Sequence, residues 1–213
     1  MNLFSSSLIT LIAFYASISS FELSHEELNL LPPLHDSYMF TEPLPSGLTE
    51  VISHLGPRLK IAIEVGSYIG ASSMFIAQSI PEHSKLICID SWLWDGPKEH
   101  KLFNNYDDVY LQFLSNIFHS NLANKISSLR MSSTSAAKFI NVKADLIFID
   151  AQHDYQAVKS DLEAWLPHLT VDGIMCGDDY NFDGVKKAVD EKAKQYNKKL
   201  IVKGGRFWIF LND

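Results

Sequence analysis

The stretch Ile61–Ser73, IAIEVGSYIGASS, decides the fold of this chain. Ile61–Glu64 is a short apolar run that ends in a carboxylate, and it predicts a buried strand. Gly66 and Gly70 bracket a tight turn, and a helix is predicted to begin at Ala71. This arrangement is typical of a cradle for a nucleotide-like ligand, because glycine lets the backbone approach the ligand and the first N–H groups of the helix face it.

The turn departs from the dinucleotide-binding pattern in two places. Tyr68 stands where that pattern has its second glycine. Glu64 places a negative charge just before the turn, where it would repel a pyrophosphate and attract a ligand that carries an amino group. These departures favour S-adenosylmethionine over NAD as the ligand.

A second apolar run, Lys85–Asp90, also ends in a carboxylate. Open α/β sheets bind ligands at the carboxyl ends of neighbouring parallel strands. Asp90 lies 24 residues after Gly66, which is about where an acidic residue meets a ribose in such folds. Glu64 and Asp90 would otherwise be simple strand-end caps, but their pairing with the two glycines favours a shared cofactor site.

Strands alternate with helices along the rest of the chain and predict an α/β fold. We expect a Rossmann-like, doubly wound, three-layer structure with a mostly parallel seven-stranded sheet and an antiparallel C-terminal hairpin. The later strands are predicted at Ile126–Met131, Ala144–Asp150, Gly173–Gly177, Leu200–Lys203 and Arg206–Phe210.

The composition indicates one globular domain and disfavours a surface that coats nucleic acid, while a local basic patch stays compatible with it. The 213 residues suffice for a three-layer core, and a net charge of −7 argues against a nucleic-acid partner. Cys88 and Cys176 lie in apolar runs that we expect to form neighbouring strands. Buried free thiols are predicted, because the spacing matches no CxxC or Cys/His metal site.

The N-terminal residues 1–45 are predicted to be a signal-like or lid segment. Leu8–Ile18 is apolar but too short to span a bilayer, and the small residues that follow resemble a signal cleavage site. No Lys or Arg precedes the run, so the alternative is a helix packed on the domain or on a second subunit of a homo-oligomer. A cytoplasmic location is favoured, because S-adenosylmethionine is made there, while the segment leaves export open.

Three motifs, in this order and spacing, resemble a class I S-adenosylmethionine-dependent methyltransferase of a small O-methyltransferase-like family. Glu64–Ser73 resembles the first cofactor motif of that family. Ala144–Trp165 resembles its strand-four signature, Ile-Asp-Gly-x-His-x-Tyr followed by Val-x-x-Asp-Leu, with Ala151 in place of the usual glycine. Gly173–Tyr180 resembles the closing Asp-Asp-Tyr motif. The resemblance implies a methyltransferase domain over residues 46–213.

The resemblance also implies a role for each cofactor-site residue. The glycine turn and its preceding glutamate would hold the methionine moiety, Asp90 the ribose hydroxyls, and Ser133 would lie near the adenine. The cofactor-binding residues implied are Glu64, Gly66, Ser67, Tyr68, Gly70, Asp90, Ser133 and Asp150.

A magnesium site is the second implication of the resemblance. Asp150, Asp178 and Asp179 align with a carboxylate triad that binds Mg²⁺, and oxygen ligands suit that cation. Three carboxylates so close together would repel one another, and the sequence nearby offers only His153 as a basic partner, which favours a cation. The alternative is that Asp178 and Asp179 cap the next helix, although Asp183 is better placed to do so.

His153 and Asp150 are the predicted catalytic residues. His153 is the titratable residue nearest to the acidic cluster and is predicted to lie on a loop, so it is a candidate general base. A structural role is the equal alternative, with the imidazole hydrogen-bonded within its own turn. Trp92 and Trp94 are predicted either to line the acceptor pocket or to pack in the core.

The predicted activity is O-methylation of a small-molecule hydroxyl, of a sugar, phenol or natural-product type, with Mg²⁺ assistance. One alternative is a subunit that binds the cofactor without transferring a methyl group. Another is a hydroxylase-like relative with a redox metal, which the lack of a two-His-one-carboxylate arrangement disfavours. The acceptor is not indicated, because Phe21–Pro45 and Trp92–Asp107 carry no recognisable pattern.

Overall fold

The computed structural model describes residue 29 and residues 31–34, 46–93 and 106–212. Seven strands in this part of the chain form one sheet. They are β1 Ile61–Val65, β2 Lys85–Asp90, β3 Ile126–Arg130, β4 Ala144–Ile149, β5 Leu169–Gly177, β6 Lys198–Lys203 and β7 Phe207–Asn212.

The strand order is β3-β2-β1-β4-β5-β7-β6. The first five strands are parallel, and β7 pairs antiparallel with both β5 and β6. The predicted doubly wound sheet with an antiparallel C-terminal hairpin is therefore confirmed. The chain winds outward from β1 in both directions, so the strand order reverses between β1 and β4.

Six α-helices of the described residues cover the two faces of the sheet. The helices are α1 Ser46–Leu55, α2 Ala71–Ser79, α3 Tyr106–His119, α4 Ser133–Phe139, α5 Tyr155–Trp165 and α6 Asp183–Gln195. Helices α1 to α3 contribute to one apolar cluster, and α4 to α6 contribute to a second. The sheet separates the two clusters, which gives the predicted three layers.

The central strands are apolar on both sides because helices cover both faces. In β1, Ala62 belongs to one cluster and Ile63 to the other, and both side chains are fully buried. Neighbouring β4 repeats this alternation with Leu146 and Ile147. Each fully buried isoleucine or leucine contributes roughly 1.5–3 kcal/mol, so the sheet centre is a rigid base for the loops at its edge.

Two local predictions are wrong. Cys88 in β2 and Cys176 in β5 are buried and free as expected, but they are not on neighbouring strands, because β1 and β4 lie between them. Helix α6 has Phe182 as its N-cap, so Asp183 is not the cap. Asp183 lies instead in the first turn of α6, where a carboxylate interacts favourably with the helix dipole.

Several predictions concern residues outside the described part of the chain. The signal-like segment, most of the proposed lid and Trp94 are among them. Within the described ranges, no helix is both long enough and apolar enough to cross a membrane.

Candidate active site

The glycine turn lies at the reversal of strand order, between β1 and α2. Gly66 has φ +92°, and its N–H donates to the carbonyl of Ile89 at 2.8 Å. A Cβ atom on Gly66 would lie 2.0 Å from the carbonyl oxygen of Asp150. Only glycine fits here, because the left-handed backbone and the close approach to Asp150 both exclude a side chain. Gly70, also at φ +92°, is the N-cap of α2.

Glu64 is completely buried beneath the turn. Its Oε2 accepts hydrogen bonds from Ser67 Oγ, at 2.7 Å, and from Ser73 Oγ. Its Oε1 has no hydrogen-bond partner among the described residues. The pKa of the Glu64 carboxyl is raised above its ordinary value because the group is buried. Hydrogen bonds with the surrounding serine hydroxyls offset only part of this effect. A cation at Oε1 would satisfy this oxygen and favour the ionised carboxylate.

Asp90 connects the end of β2 to the glycine turn. Its Oδ2 accepts from the backbone N–H groups of Ser67 and Tyr68 at 3.1 and 2.9 Å. Its Oδ1 accepts from the N–H of Trp92 at 2.7 Å. The carboxylate therefore shapes the turn, and it also lines the adjoining cleft. A carboxylate oxygen accepts more than one hydrogen bond, so these contacts leave acceptor capacity for ribose hydroxyls.

A cleft of about 770 Å³ opens at this edge of the sheet, and its volume is typical of small-molecule and cofactor sites. It is lined, among others, by Gly66, Tyr68, Asp90, Ser133, Asp150 and His153. The structure thus brings five of the eight predicted cofactor residues to the cleft wall, whereas Glu64, Ser67 and Gly70 do not line it.

Trp92 packs in the core and also borders the cleft. The side chain is 2% exposed, and its ring lies 4.5 Å from that of Tyr110 and 4.8 Å from that of Phe113. Its indole N–H donates to the carbonyl of Tyr68 at 2.6 Å. Trp92 therefore stabilises the turn. Of the two predicted roles, packing in the core accounts for its main contacts.

Ser133 lies on the cleft wall at the start of α4. Its Oγ accepts from the indole N–H of Trp165 at 2.8 Å and is hydrogen-bonded to Asp161. Asp161 also lines the cleft, and burial raises the pKa of its carboxyl to about 6. The sequence analysis did not predict Asp161 as a site residue. The one feature that could have indicated it is the Val-x-x-Asp-Leu pattern on α5, in which Asp161 is the aspartate.

The acidic cluster lies at the carboxyl ends of β4 and β5, with Asp150 directly beside the glycine turn. Asp150 directly follows β4, and burial, together with the charges of Asp179 and Asp178, raises the pKa of its carboxyl to about 8. Asp179 Oδ2 lies 2.7 Å from His153 Nε2. One ligand atom from each of Asp150, His153 and Asp179 lies within 4.8 Å of the others.

Asp178 is separated from this group by an ion pair that the sequence did not reveal. Its Oδ1 accepts from Arg206 Nε at 2.7 Å and from the N–H of Asp179 at 2.8 Å. Arg206 Nη2 also lies 3.4 Å from Asp179 Oδ1. The expectation that only His153 is a basic neighbour is therefore wrong. Arg206 reaches the cluster because β7 returns antiparallel beside β5.

His153 pairs across the site rather than within its own turn. Its imidazole is about half exposed and stacks on the Phe182 ring at a centroid distance of 4.6 Å. The hydrogen bond that the imidazole donates to Asp179 is the main cause that raises the pKa of His153. This contact orients the imidazole at the mouth of the cleft, where proton transfer to or from a bound ligand is geometrically accessible.

The sequence belongs to a methyltransferase family. A family model described as a methyltransferase domain matches residues 63–180, which include the glycine turn, the strand-four motif and the Asp178–Tyr180 motif. No curated protein sequence is significantly similar to the chain.

Solved structures show the same fold at low sequence identity. An O-methyltransferase from Bacillus cereus in complex with SAH has a TM-score of 0.58 and 14% identity, over 98% of this chain and 91% of that one. The O-methyltransferase TomG from Streptomyces achromogenes, in complex with SAM, has a TM-score of 0.61 and 12% identity, over 95% of both chains. CalS11, a TDP-rhamnose 3′-O-methyltransferase, has a TM-score of 0.57 and 14% identity, over 91% of this chain and 97% of that one. The predicted class I methyltransferase fold is confirmed.

Proposed function

We propose that this protein transfers a methyl group from S-adenosylmethionine to a hydroxyl of a small molecule. The observation that carries the proposal is the buried Glu64 Oε1, without a partner among the described residues, beneath a glycine turn that opens into the cleft. The solved complexes of the TomG and Bacillus cereus enzymes with SAM and SAH support the choice of cofactor.

The residues at the turn fit the chemistry of S-adenosylmethionine. Glu64 supplies a buried carboxylate for the ammonium of the methionine moiety, and Gly66 leaves space for the ligand to approach the backbone. Asp90 retains acceptor capacity for the ribose hydroxyls, while Ser133 and Asp161 supply polar atoms at the far wall of the cleft. When bound, the cofactor supplies an activated methyl group on a sulfonium centre.

The acceptor hydroxyl is proposed to lie beside His153. In the neutral form that donates its Nε2–H to Asp179, His153 accepts the hydroxyl proton at Nδ1 as the new carbon–oxygen bond forms and the carbon–sulfur bond of the methyl group breaks, and Asp179 stabilises the resulting imidazolium. Holding the hydroxyl in line with the methyl group lowers the barrier by orientation alone. Phe182, which stacks on the imidazole, restricts the ring to one orientation.

A divalent cation fits the same cluster, with a ligand set that differs from the predicted triad. Asp150, Asp179 and His153 can each direct one ligand atom to a common point, whereas Asp178 is held by Arg206. Bound there, Mg²⁺ would lower the pKa of the acceptor hydroxyl and orient it. Oxygen-rich ligation favours Mg²⁺ over softer metals.

A metal-independent version of the reaction is the second candidate, and the ion pairs favour it. Arg206 lies within ion-pair distance of both Asp178 and Asp179, so a side chain of the protein already compensates part of the negative charge of the cluster. In this version, His153 acts as an unaided base. The chain would then use the acidic cluster to position the histidine rather than to bind metal.

The test is the formation of S-adenosylhomocysteine with a panel of phenols, diols and nucleotide sugars, with and without EDTA. We expect turnover with at least one acceptor class, and its absence with the whole panel would support a binding subunit. Loss of turnover in EDTA with recovery in Mg²⁺ indicates the metal-assisted version, and full activity in EDTA indicates the unaided base. His153→Gln should reduce kcat, while His168→Gln, a histidine change remote from the cleft, should not.

A further inference from the structure

Helix α3 carries three buried polar side chains in an otherwise apolar face. Gln112, Ser115 and Asn116 are each no more than 4% exposed. Buried amides are costly unless they are hydrogen-bonded, so the partners of these groups indicate why they are placed there. Their contacts extend in two directions, toward the glycine turn and toward the N-terminal part of the chain.

The first direction leads to the glycine turn. Asn116 Nδ2 donates to the carbonyl oxygen of Ile69 at 2.8 Å. Ile69 immediately precedes Gly70, and its side chain is 2% exposed. The amide therefore connects α3 to the backbone of the turn. The contact restricts the peptide between Ile69 and Gly70, and Gly70 is the N-cap of α2.

The second direction leads to residues 31–34. Gln112 Nε2 donates to Asn116 Oδ1 and to the carbonyl of Pro33, both at 2.9 Å. Ser115 Oγ donates to the carbonyl of Pro32, and Leu31 is buried in the same apolar cluster as α3. Residues 31–34 are thus docked on the helix that supports the cofactor turn.

We propose that Gln112 and Asn116 are positioning residues that couple the docking of residues 31–34 to the cofactor-binding form of the glycine turn. The series of hydrogen bonds runs from Pro33 through Gln112 and Asn116 to Ile69. The part that concerns cofactor affinity rests on the proposed function, because it takes S-adenosylmethionine as the ligand of the turn.

The physical basis is the orientation of the Asn116 amide. An amide has a donor end and an acceptor end, and the atom of Ile69 at this contact is its carbonyl oxygen, which only accepts. Gln112 donates to Asn116 Oδ1 and so keeps the donor end, Nδ2, directed at the turn. Without Gln112, a rotation of the amide would place two oxygens against each other. Because linkage is reciprocal, a ligand that fixes the turn also stabilises the docked segment.

The test uses Gln112→Met and Asn116→Leu in the full-length chain, because both changes keep side-chain volume and add no charge. Ser84→Ala is the matched control, since Ser84 Oγ makes a buried hydrogen bond of 2.7 Å to the Leu59 carbonyl at the other end of the sheet. Two quantities are measured for each protein, the Kd for S-adenosylmethionine and the deuterium uptake of residues 66–70 without ligand.

We expect both α3 variants to bind S-adenosylmethionine about tenfold more weakly, as for one lost buried hydrogen bond with its partner left unsatisfied. Uptake at residues 66–70 should rise in both variants and stay unchanged in Ser84→Ala. In the wild type, the ligand should also lower uptake at residues 31–34, and Gln112→Met should abolish that effect.

Wild-type affinity and wild-type uptake in Gln112→Met would overturn the coupling. If Asn116→Leu fails to fold, Gln112→Met alone carries the test, because it leaves the contact with Ile69 chemically possible. Failure of the wild type to bind S-adenosylmethionine would instead refute the proposed function. In that case the uptake at residues 66–70 still decides whether the two side chains position the turn.

Discussion

Gly66→Ala should destabilise the protein far more than an alanine at another glycine with a left-handed backbone. An L-residue at φ +92° costs roughly 1–2 kcal/mol. The added Cβ would also lie 2.0 Å from the Asp150 carbonyl oxygen and 2.6 Å from its carbon. Relieving such an overlap against backbone costs a further 1–3 kcal/mol or so. The free energy of unfolding should therefore fall by about 2–5 kcal/mol.

Gly205→Ala separates the two contributions. Gly205 has φ +71° in the turn between β6 and β7, and a Cβ there would meet no atom within 4 Å. Urea unfolding, followed by circular dichroism, should show a loss of about 1–2 kcal/mol in this control and the larger loss in Gly66→Ala. Equal losses in the two variants would refute the close approach of the turn to β4, and with it the reason for a glycine at position 66.

Three further predictions follow from the site. Asp161→Asn should remove a pH dependence of the free energy of unfolding. The pKa of Asp161 in the folded state is about 6, above its ordinary 3.8, so between these pH values the unfolded state binds fewer protons than the folded state. The wild type then loses roughly 3 kcal/mol of stability as pH rises through this window, and urea unfolding at pH 4 and pH 7 should show a smaller loss in the variant. Asp179→Asn should reduce turnover much more than Asp178→Asn, because Asp179 contacts His153 whereas Asp178 pairs with Arg206; equal kcat values would contradict these roles. Deletion of residues 1–20 should leave the Kd for S-adenosylmethionine unchanged, since every cofactor motif lies beyond that segment, and weaker binding by calorimetry would show that the segment packs on the domain.

The part of the site formed by consecutive residues was predictable from the sequence. Strand, glycine turn and helix follow one another in Ile61–Ser73, so local patterns were enough to place Glu64, Gly66 and Gly70 at one edge. Asp90 could be added because parallel neighbouring strands end at the same edge. These inferences needed only periodicity and the rule for ligand sites in open sheets.

The parts that depend on distant pairing were not predictable. Arg206 lies 28 residues beyond Asp178, and it reaches that carboxylate only because β7 inserts between β5 and β6. The expected adjacency of Cys88 and Cys176 failed for the same reason, since strand order is a property of the whole sheet. Likewise, the role of the polar side chains of α3 could not be predicted, because their hydrogen-bond partners include residues 31–34, which dock on that helix only in the folded chain.

The most direct test of the central claim is a calorimetric titration of S-adenosylmethionine into the wild-type protein, Asp90→Ala and Asp172→Ala. Asp90 holds the turn and lines the cleft, whereas Asp172 is exposed at the opposite end of the sheet. We expect one binding site in the wild type, unchanged affinity in Asp172→Ala, and a loss of about 1.5–3 kcal/mol in Asp90→Ala, as for a charge-assisted hydrogen bond. No binding to the wild type, or equal affinity in all three proteins, would contradict the assignment of this cleft as the cofactor site.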